Sequence, residues 1–169
     1  MGSGKTAIGQ QLAGLLQREF IDLDALIESQ EGLSIKEIFK QKGAVYFRKR
    51  ESAVLREVMD GHSDLVIALG GGTPIYGDNL KWINNSEINH SIYLKVSLAS
   101  LVERLWHERH DRPIIAALET PQELEEFVRK HLFERIFTYQ QAHTVFDASD
   151  MSVLSAANGI ISALKTILC

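Results

Sequence analysis

The chain begins Met1-Gly2-Ser3-Gly4-Lys5-Thr6, and this stretch matches the second half of the phosphate-binding pattern G-x-x-x-x-G-K-[ST]. Glycines let consecutive backbone N–H groups curl around phosphate oxygens. In such a loop the lysine reaches the β- and γ-phosphates, and the threonine hydroxyl binds Mg²⁺. The stretch therefore predicts a nucleotide-binding loop.

A helix is predicted directly after this loop, because Ile8, Leu12 and Leu15 recur at helical spacing. The positive end of the helix dipole would then face the phosphates. An expression tag could also begin Met-Gly-Ser, but a tag would not place Lys5 and Thr6 at the head of an amphipathic helix. We therefore favour the loop.

Composition and size restrict the class of protein. The 169 residues, of which 45% are hydrophobic and 24% charged, predict one globular domain over 1–169. The net charge of −4 gives no basic surface for nucleic acid or an anionic membrane, so an anionic ligand would need local arginines. Cys169 is the single cysteine, and no apolar run approaches the roughly 20 residues of a membrane span. We expect a cytoplasmic protein.

Helical patterns alternate with short apolar runs along the chain, which favours an α/β protein with a parallel sheet. We predict strands at 20–22, 65–68, 92–94 and 144–146. Gly32 is predicted to end one helix, and Ser34 with Glu37 to form the capping box of the next. Further helices are predicted over 44–59, over 120–142 starting at Thr120-Pro121, and over 153–168.

Two carboxylates, Asp22 and Asp24, follow the apolar pair Phe20-Ile21. In an extended chain residues two apart point the same way, so both would face the carboxyl end of the sheet, where the loop also lies. One could hold Mg²⁺ through water, and the other could accept a proton from an attacking hydroxyl. Alternatively, Asp24 caps a helix that begins near Ala25.

Three consecutive glycines, Gly70, Gly71 and Gly72, follow the predicted strand 65–68. They would allow a ligand to approach the backbone closely, although a tight turn is the simpler interpretation. The strand carries no acidic residue at its end. Asp22 is therefore the available candidate for the carboxylate on the metal side.

Two arginines lie at helical spacing from a possible partner: Arg48 from Glu51 and Arg135 from Tyr139. Such pairs are most often solvated or form local ion pairs. Two arginines from separate helices could instead converge on a carboxylate through bidentate hydrogen bonds. Sequence spacing leaves both interpretations open.

The charged segment 107–119 interrupts the helical periodicity. It is either a surface loop or a lid that supplies arginine to a phosphoryl group. The six histidines lack metal-ligand spacing, so we expect no zinc site, and we expect Trp82 and Trp106 to be packing residues. The histidines are His62, His90, His107, His110, His131 and His143.

In order, the motifs M-G-S-G-K-T, F-I-D-L-D, F-R-K-R-E, A-L-G-G-G, D-R-P-I-I and E-R-x-x-x-Y resemble the shikimate kinase family from Met1 to about Asp147. The resemblance implies a nucleoside-monophosphate-kinase-like P-loop fold with three α/β/α layers. It also implies transfer of the γ-phosphate of ATP to the 3-hydroxyl of shikimate, in the pathway to chorismate and the aromatic amino acids.

On the nucleotide side, the resemblance implies that the loop residues hold the ATP phosphates. Thr6 would also bind Mg²⁺, and Asp22 would bind it through water. Arg112 would reach over the transferring phosphoryl group, and Arg104 would pack on adenine. The loop residues are Gly2, Ser3, Gly4, Lys5 and Thr6.

On the acceptor side, the resemblance implies that Asp24 binds the reacting hydroxyl as its base or orienting group. Arg48 and Arg135 would clamp the shikimate carboxylate, and Glu51 would steady Arg48 or the ligand. The turn at Gly70, Gly71 and Gly72 would press against the ring hydroxyls.

The family's sheet has the order 2-3-1-4-5, and its first strand precedes the loop. That strand and the pattern's first glycine are absent here, which leaves a predicted slot between 65–68 and 92–94. We expect a natural protein longer by about 8–12 residues, enough for one strand. We expect a monomer, unless another copy supplies the strand.

Two other functions remain open at this level. One is another small-acid P-loop kinase, such as a gluconate kinase, because arginine clamps suit any acid. The other is a non-catalytic relative that keeps the fold as a binding module. Nucleotide binding without turnover would favour the binding module.

Overall fold

The computed structural model describes residues 1–61, 64–86, 88–112 and 114–168. His62, Cys169 and the proline of the D-R-P-I-I motif, Pro113, lie outside these residues. None of the helices in the described ranges is long and apolar enough to cross a membrane. Helices and short strands alternate in the order α1 Lys5–Leu16, β1 Glu19–Asp22, α2 Leu23–Glu31, α3 Ile35–Gly61, β2 Leu65–Ala68, α4 Asn79–Asn84, β3 Ile92–Lys95, α5 Leu98–His107, a 3₁₀ helix Arg109–Asp111, α6 Pro121–Phe133, α7 Ile136–Tyr139, β4 Thr144–Asp147 and α8 Val153–Leu168.

The chain divides into two compact units. The larger unit contains Lys5–Trp82 together with helix α8, and the smaller contains Met1–Gly4 and Ile83–Ser152. The single domain expected from the sequence stays a prediction.

In the larger unit, β1 and β2 form a parallel pair in which Glu19 lies opposite Leu65 and Asp22 opposite Ala68. Helix α1 packs against α8 and against both strands, and α2 packs against α3. Apolar side chains from these helices form the core, and their removal from water stabilises the folded chain. They include Leu12, Leu23, Ile27, Leu55 and Ile160.

In the smaller unit, β3 and β4 form a second parallel pair, with Ile92 opposite Thr144 and Lys95 opposite Asp147. Helix α5 packs against α6, and Leu105, Ile115 and Leu124 are fully buried. All four predicted strands are confirmed. Both pairings agree with the predicted order 2-3-1-4-5. In that order β1 and β2 of this chain correspond to family strands 2 and 3, and β3 and β4 correspond to family strands 4 and 5.

Several helix boundaries follow the predicted local signals. Gly32 ends α2 with a left-handed φ of 63°. The capping box is present, since Ser34 N–H donates to Glu37 Oε2 at 2.9 Å and Glu37 N–H donates to Ser34 Oγ at 3.3 Å. Gly43, at φ 82°, interrupts α3, so the long helical segment starts at residue 44 as predicted.

The predicted helix over 120–142 is wrong in its second half. Helix α6 ends at Phe133, and a separate short helix, α7, follows Arg135. The Arg135 N–H donates to Leu132 O, three residues back, at 3.0 Å. The Arg135 guanidinium donates to the His131 carbonyl at 2.9 Å. A side chain therefore satisfies the carbonyl that the next turn of helix would have used.

Gly9 and Gly14 of α1 give a matched test of the packing of this helix. A Cβ atom at Gly9 would lie 2.7 Å from Phe20 Cε2, whereas one at Gly14 would meet nothing within 4 Å. We expect Gly9→Ala to lower the free energy of unfolding by about 1–3 kcal/mol, because the core must shift. Gly14→Ala should raise it by about 0.5–1 kcal/mol through helix propensity. Urea unfolding measures both, and similar effects for the two variants would contradict the close contact.

Candidate active site

The first residues form a loop whose backbone requires glycine. Gly2 and Gly4 have φ of 72° and 80°, the left-handed region that glycine adopts without strain. A Cβ atom at Gly2 would also lie 2.9 Å from Leu105 Cγ. Helix α1 begins at Lys5, so the N–H groups of its first turn have no partner within the helix. The predicted loop therefore leads directly into donors that suit an anion.

Thr6 and Asp22 meet directly. Thr6 Oγ1 donates to Asp22 Oδ2 at 2.8 Å. The other carboxylate oxygen, Asp22 Oδ1, accepts the N–H groups of Asp24 at 3.1 Å and Ala25 at 3.3 Å, so Asp22 caps helix α2. A hydroxyl and a carboxylate side by side are hard oxygen donors of the kind that Mg²⁺ prefers.

The structure corrects the prediction for Asp24. Helix α2 begins at Leu23, so Asp24 lies in its first turn rather than in an extended chain, and the capping residue is Asp22 rather than Asp24. The Asp24 carboxylate lies instead against the glycine turn, where a Cβ atom at Gly70 would be 2.9 Å from Oδ1. Burial raises the pKa of Asp24 above 3.8, and Asp22 raises it further, while Lys5 opposes the shift.

The glycines after β2 form a turn, and the protein's own side chains fill the space beside them. Thr73 N–H donates to Gly70 O at 3.1 Å. Added Cβ atoms would collide with neighbours, at Gly70 with carboxylate oxygens and at Gly72 with Arg48 Nη1 at 2.6 Å. Neither glycine has a left-handed φ. Close contact with the protein's own side chains therefore explains glycine at these two positions, whereas the close approach of a ligand stays a prediction.

Arg48 lies against this turn with its guanidinium held from two sides. Its Nη1 donates to Glu51 Oε2 at 2.7 Å, which confirms the local ion pair. Its guanidinium carbon lies 4.1 Å from the ring centre of Tyr76 and 5.0 Å from that of Phe47. The Nε and Nη2 groups of Arg48 make no hydrogen bond to any residue that the structure describes. These donors are available to an anion.

Arg135, in the smaller unit, also has an available donor. Its Nη1 donates to the His131 carbonyl at 2.9 Å and to Glu134 Oε2 at 3.1 Å. Its Nε is the one buried side-chain polar atom without a partner in the described part of the chain. A buried N–H without an acceptor is unfavourable, so the site favours an incoming anion. The Arg135 guanidinium is therefore held by His131 and Glu134 rather than by Tyr139, the partner that helical spacing suggested.

A cavity of about 250 Å³ lies beside this part of α6, lined by Phe127, Lys130, His131 and Glu134. None of the residues predicted for the site lines it. Burial, followed by the positive charges of Arg135 and the N-terminal amine, lowers the pKa of His131 to about 4. The imidazole is therefore neutral at pH 7.

The described part of the segment 107–119 contains the 3₁₀ helix Arg109–Asp111. Arg112 directly follows the 3₁₀ helix, and its Nε and Nη2 donate to Glu108 Oε2 at 3.1 and 2.5 Å. Arg104 lies in the last turn of α5, and its side chain makes no hydrogen bond or ion pair to the described residues. Trp106 does more than pack, because the Arg109 guanidinium stacks on its ring at 3.9 Å.

A family model described as shikimate kinase matches residues 1–165. The chain is 40% identical over 164 residues to the shikimate kinase of Flavobacterium johnsoniae, covering 97% of this chain and 94% of the relative. The chain belongs to the shikimate kinase family.

Solved shikimate kinases share the fold. The enzyme from Bacteroides thetaiotaomicron matches with a TM-score of 0.88 and 31% identity, covering 98% of this chain and 94% of that one. The Acinetobacter baumannii enzyme, solved in complex with shikimate, matches with a TM-score of 0.85 and 32% identity, covering 98% and 89%. The chain therefore has the predicted three-layer α/β/α fold of P-loop kinases, while the place of the first strand in the order stays a prediction.

In this member of the shikimate kinase family, the charged residues around the glycine turn were predicted from the sequence, but three neutral residues were not. Thr73, Tyr76 and Asn79 hold the turn and Arg48 in place, but they have neither charge nor characteristic spacing. The position of Thr73 directly after the glycines was the one available signal. In the described ranges no group of three or more His, Cys, Asp or Glu could hold a metal ion, and the expectation of no zinc site stays a prediction.

The raised pKa of Asp24 predicts a pH-dependent effect on stability. Below about pH 3.8 Asp24 is protonated in both states, and as pH rises through the folded-state pKa the folded protein loses stability. Asp24→Asn has no proton to lose. We therefore expect its free energy of unfolding, relative to the unmodified protein, to be higher at pH 7 than at pH 4.

Urea unfolding at the two pH values checks this expectation. Asp78→Asn is the control for the loss of one negative charge, because the Asp78 side chain is 75% exposed. An Asp24→Asn difference that is the same at pH 4 and pH 7 would contradict the proposed burial effect.

Proposed function

We propose that this member of the shikimate kinase family transfers the γ-phosphate of ATP to the 3-hydroxyl of shikimate, giving shikimate 3-phosphate and ADP. One arrangement in the larger unit carries the proposal. A carboxyl with a raised pKa, Asp24, and a guanidinium with free donors, Arg48, both lie against the turn at Gly70–Gly72. A proton acceptor and a carboxylate-binding group on one turn suit a hydroxy acid.

The phosphate loop would hold the nucleotide. The backbone N–H groups around Gly2, Ser3 and Gly4 and the start of α1 would bind phosphate oxygens, and Lys5 would neutralise their charge. The Arg104 side chain, free of protein partners among the described residues, would pack on adenine.

Thr6 and Asp22 fit Mg²⁺, because they bring a hydroxyl and a carboxylate oxygen together at 2.8 Å. When bound, Mg²⁺ would offset negative charge on the phosphates. Asp22 would help to hold Mg²⁺ while it still caps α2, because Oδ1 accepts hydrogen bonds from the helix and Oδ2 lies beside Thr6.

Asp24 would accept the proton of the 3-hydroxyl or orient that hydroxyl for attack. A raised pKa brings a carboxylate closer to the working pH, which improves proton transfer. The positive charge of Lys5 lowers the pKa of Asp24 and so opposes part of the increase that burial causes. Phosphoryl transfer depends mainly on positioning and charge stabilisation, so orientation by Asp24 contributes as well.

Arg48 would bind the shikimate carboxylate through its free Nε and Nη2 groups, which present a bidentate edge. The family resemblance assigns Arg135 to the same carboxylate, and its unpartnered Nε supports a role in binding an anion. These arginines would act far from the reacting oxygen, so their main effect would be on substrate binding.

Arg112 would neutralise charge on the transferring phosphoryl group. To do so it must leave Glu108, to which it is paired in this structure. Both side chains are partly exposed, at 37% and 54%, and exposed ion pairs contribute only about 0–1 kcal/mol. The exchange from Glu108 to a phosphate therefore costs little.

Release of ADP from MgATP, measured with and without shikimate, tests the proposal. We expect ADP formation to depend on shikimate and to stop when EDTA removes Mg²⁺. Nucleotide binding without turnover would point to a binding module, and turnover of gluconate instead of shikimate would point to another small-acid kinase. Either result would contradict the proposed substrate.

Two substitutions should separate binding from chemistry. We expect Arg48→Ala to raise the KM for shikimate by roughly 10- to 100-fold with a smaller change in kcat, because charge-assisted hydrogen bonds are lost. Asp24→Asn should mainly lower kcat, by about 10²- to 10⁴-fold. Arg50→Ala is the matched control, since Arg50 is on the same helix but donates to Glu31 and Gln30. Steady-state kinetics showing the reverse pattern would overturn these roles.

A further inference from the structure

The buried carboxylate of Glu51 and its hydrogen-bond partner Thr73 have no role in the mechanism proposed above. The Glu51 side chain is 1% exposed, although it is a carboxylate. Its Oε2 accepts from Arg48 Nη1 at 2.7 Å, and its Oε1 accepts from Thr73 Oγ1 at 2.7 Å. A buried charge is tolerated only with such partners, so Thr73 provides one of the two hydrogen bonds that this carboxylate accepts from side chains in the described part of the chain.

Thr73 is itself held on both sides of its backbone. It is fully buried, its N–H donates to Gly70 O at 3.1 Å, and its carbonyl accepts from Asn79 Nδ2 at 2.9 Å. Asn79 is also buried, at 1% exposure. The hydroxyl is therefore presented to Glu51 by a fixed backbone, and rotation of the side chain is restricted by the surrounding protein.

The segment that starts at Thr73 also holds the face of the arginine. Tyr76 lies 4.1 Å from the Arg48 guanidinium carbon, while Gly72 leaves no room between the turn and Nη1. Glu51 thus fixes one edge of the guanidinium and Tyr76 covers one face. The edge formed by Nε and Nη2 is left without a partner among the described residues.

We propose that Thr73 is a positioning residue for the acid substrate, acting through Glu51 to aim the free edge of the Arg48 guanidinium. The Thr73 hydroxyl holds Glu51 Oε1, and this orients Oε2 toward Arg48. Without the hydroxyl, Glu51 can rotate and carry Arg48 with it. The proposal rests on the proposed function in one respect, namely that Arg48 binds the substrate carboxylate.

Kinetics of Thr73→Val and Thr73→Ser in the full chain test this role. Valine keeps the shape and removes the hydroxyl, whereas serine keeps the hydroxyl and removes the methyl group. We expect Thr73→Val to raise the KM for shikimate roughly three- to tenfold, the worth of one hydrogen bond, with kcat and the KM for ATP within about twofold. Thr73→Ser should stay within about twofold of the unmodified protein.

A matched control separates positioning from general loss of stability. Ile160→Val removes a buried methyl group from α8, in the same unit but outside this hydrogen-bond network. We expect it to lower Tm without changing the KM for shikimate. If Thr73→Val lowers Tm in the same way and leaves the KM unchanged, Thr73 is only structural and the proposal is wrong. Should Thr73→Val fail to fold, Thr73→Ala compared with Thr73→Ser isolates the hydroxyl instead.

A measurement on the ligand-free protein distinguishes failure of this inference from failure of the proposed function. The ¹⁵N relaxation of the Arg48 Nε–H group, assigned with Arg48→Lys, reports how rigidly the guanidinium is held. We expect lower order in Thr73→Val and unchanged order in Thr73→Ser and Ile160→Val. If the Arg48 Nε–H group is less ordered in Thr73→Val but the unmodified protein does not turn over shikimate, the proposed function and the role of Thr73 in substrate binding are both wrong. Only the structural link from Thr73 through Glu51 to Arg48 would then remain. Unchanged order would overturn the positioning role whatever the activity.

Discussion

The larger unit is organised around a carboxylate that water does not reach. Glu51 comes from α3, and the two groups that neutralise it come from the same helix and from the turn after β2. Removing either partner would leave a buried charge or a buried oxygen unsatisfied, which is among the most unfavourable changes inside a protein. The pairing therefore fixes α3 against the glycine turn. Through that contact it also fixes the position of Arg48.

One side chain also serves two contacts where helix α1 meets the end of β1. Asp22 caps α2 with one oxygen and accepts from Thr6 with the other, so the first residues of two helices are tied to one side chain. Asp24 follows in the first turn of α2, where burial raises its pKa. Helix capping, a candidate cation position and a candidate base are thus consequences of one strand-to-helix junction.

Much of the fold could be predicted because its signals are local. Gly32, the box at Ser34 and Glu37, and the short apolar runs each determine backbone conformation within a few residues, and the structure agrees with them. The break after Phe133 could not be read in this way. It depends on a guanidinium that reaches back to a carbonyl, and hydrophobic periodicity does not detect such a bond.

The candidate site shows the same division. Charged residues could be named from motifs, but the extended geometry expected to point Asp22 and Asp24 the same way was wrong, because the chain is helical at Asp24. The roles of Thr73 and Asn79 depend on contacts between residues distant in sequence, and neutral side chains at no regular spacing give no pattern to detect.

The tight contact between Gly72 and Arg48 also restricts how this chain can vary over time. A methyl group at position 72 would occupy the space of the guanidinium, so that substitution would displace the Arg48 side chain from its present position. A shorter side chain at position 48, in turn, would leave an empty space beside a bare turn. The two sites are therefore epistatic, and their effects on fitness cannot be added. A path from this sequence to one with different residues at both positions therefore passes through an intermediate in which the guanidinium is either displaced or absent, and that change would affect the ligand that Arg48 is proposed to bind.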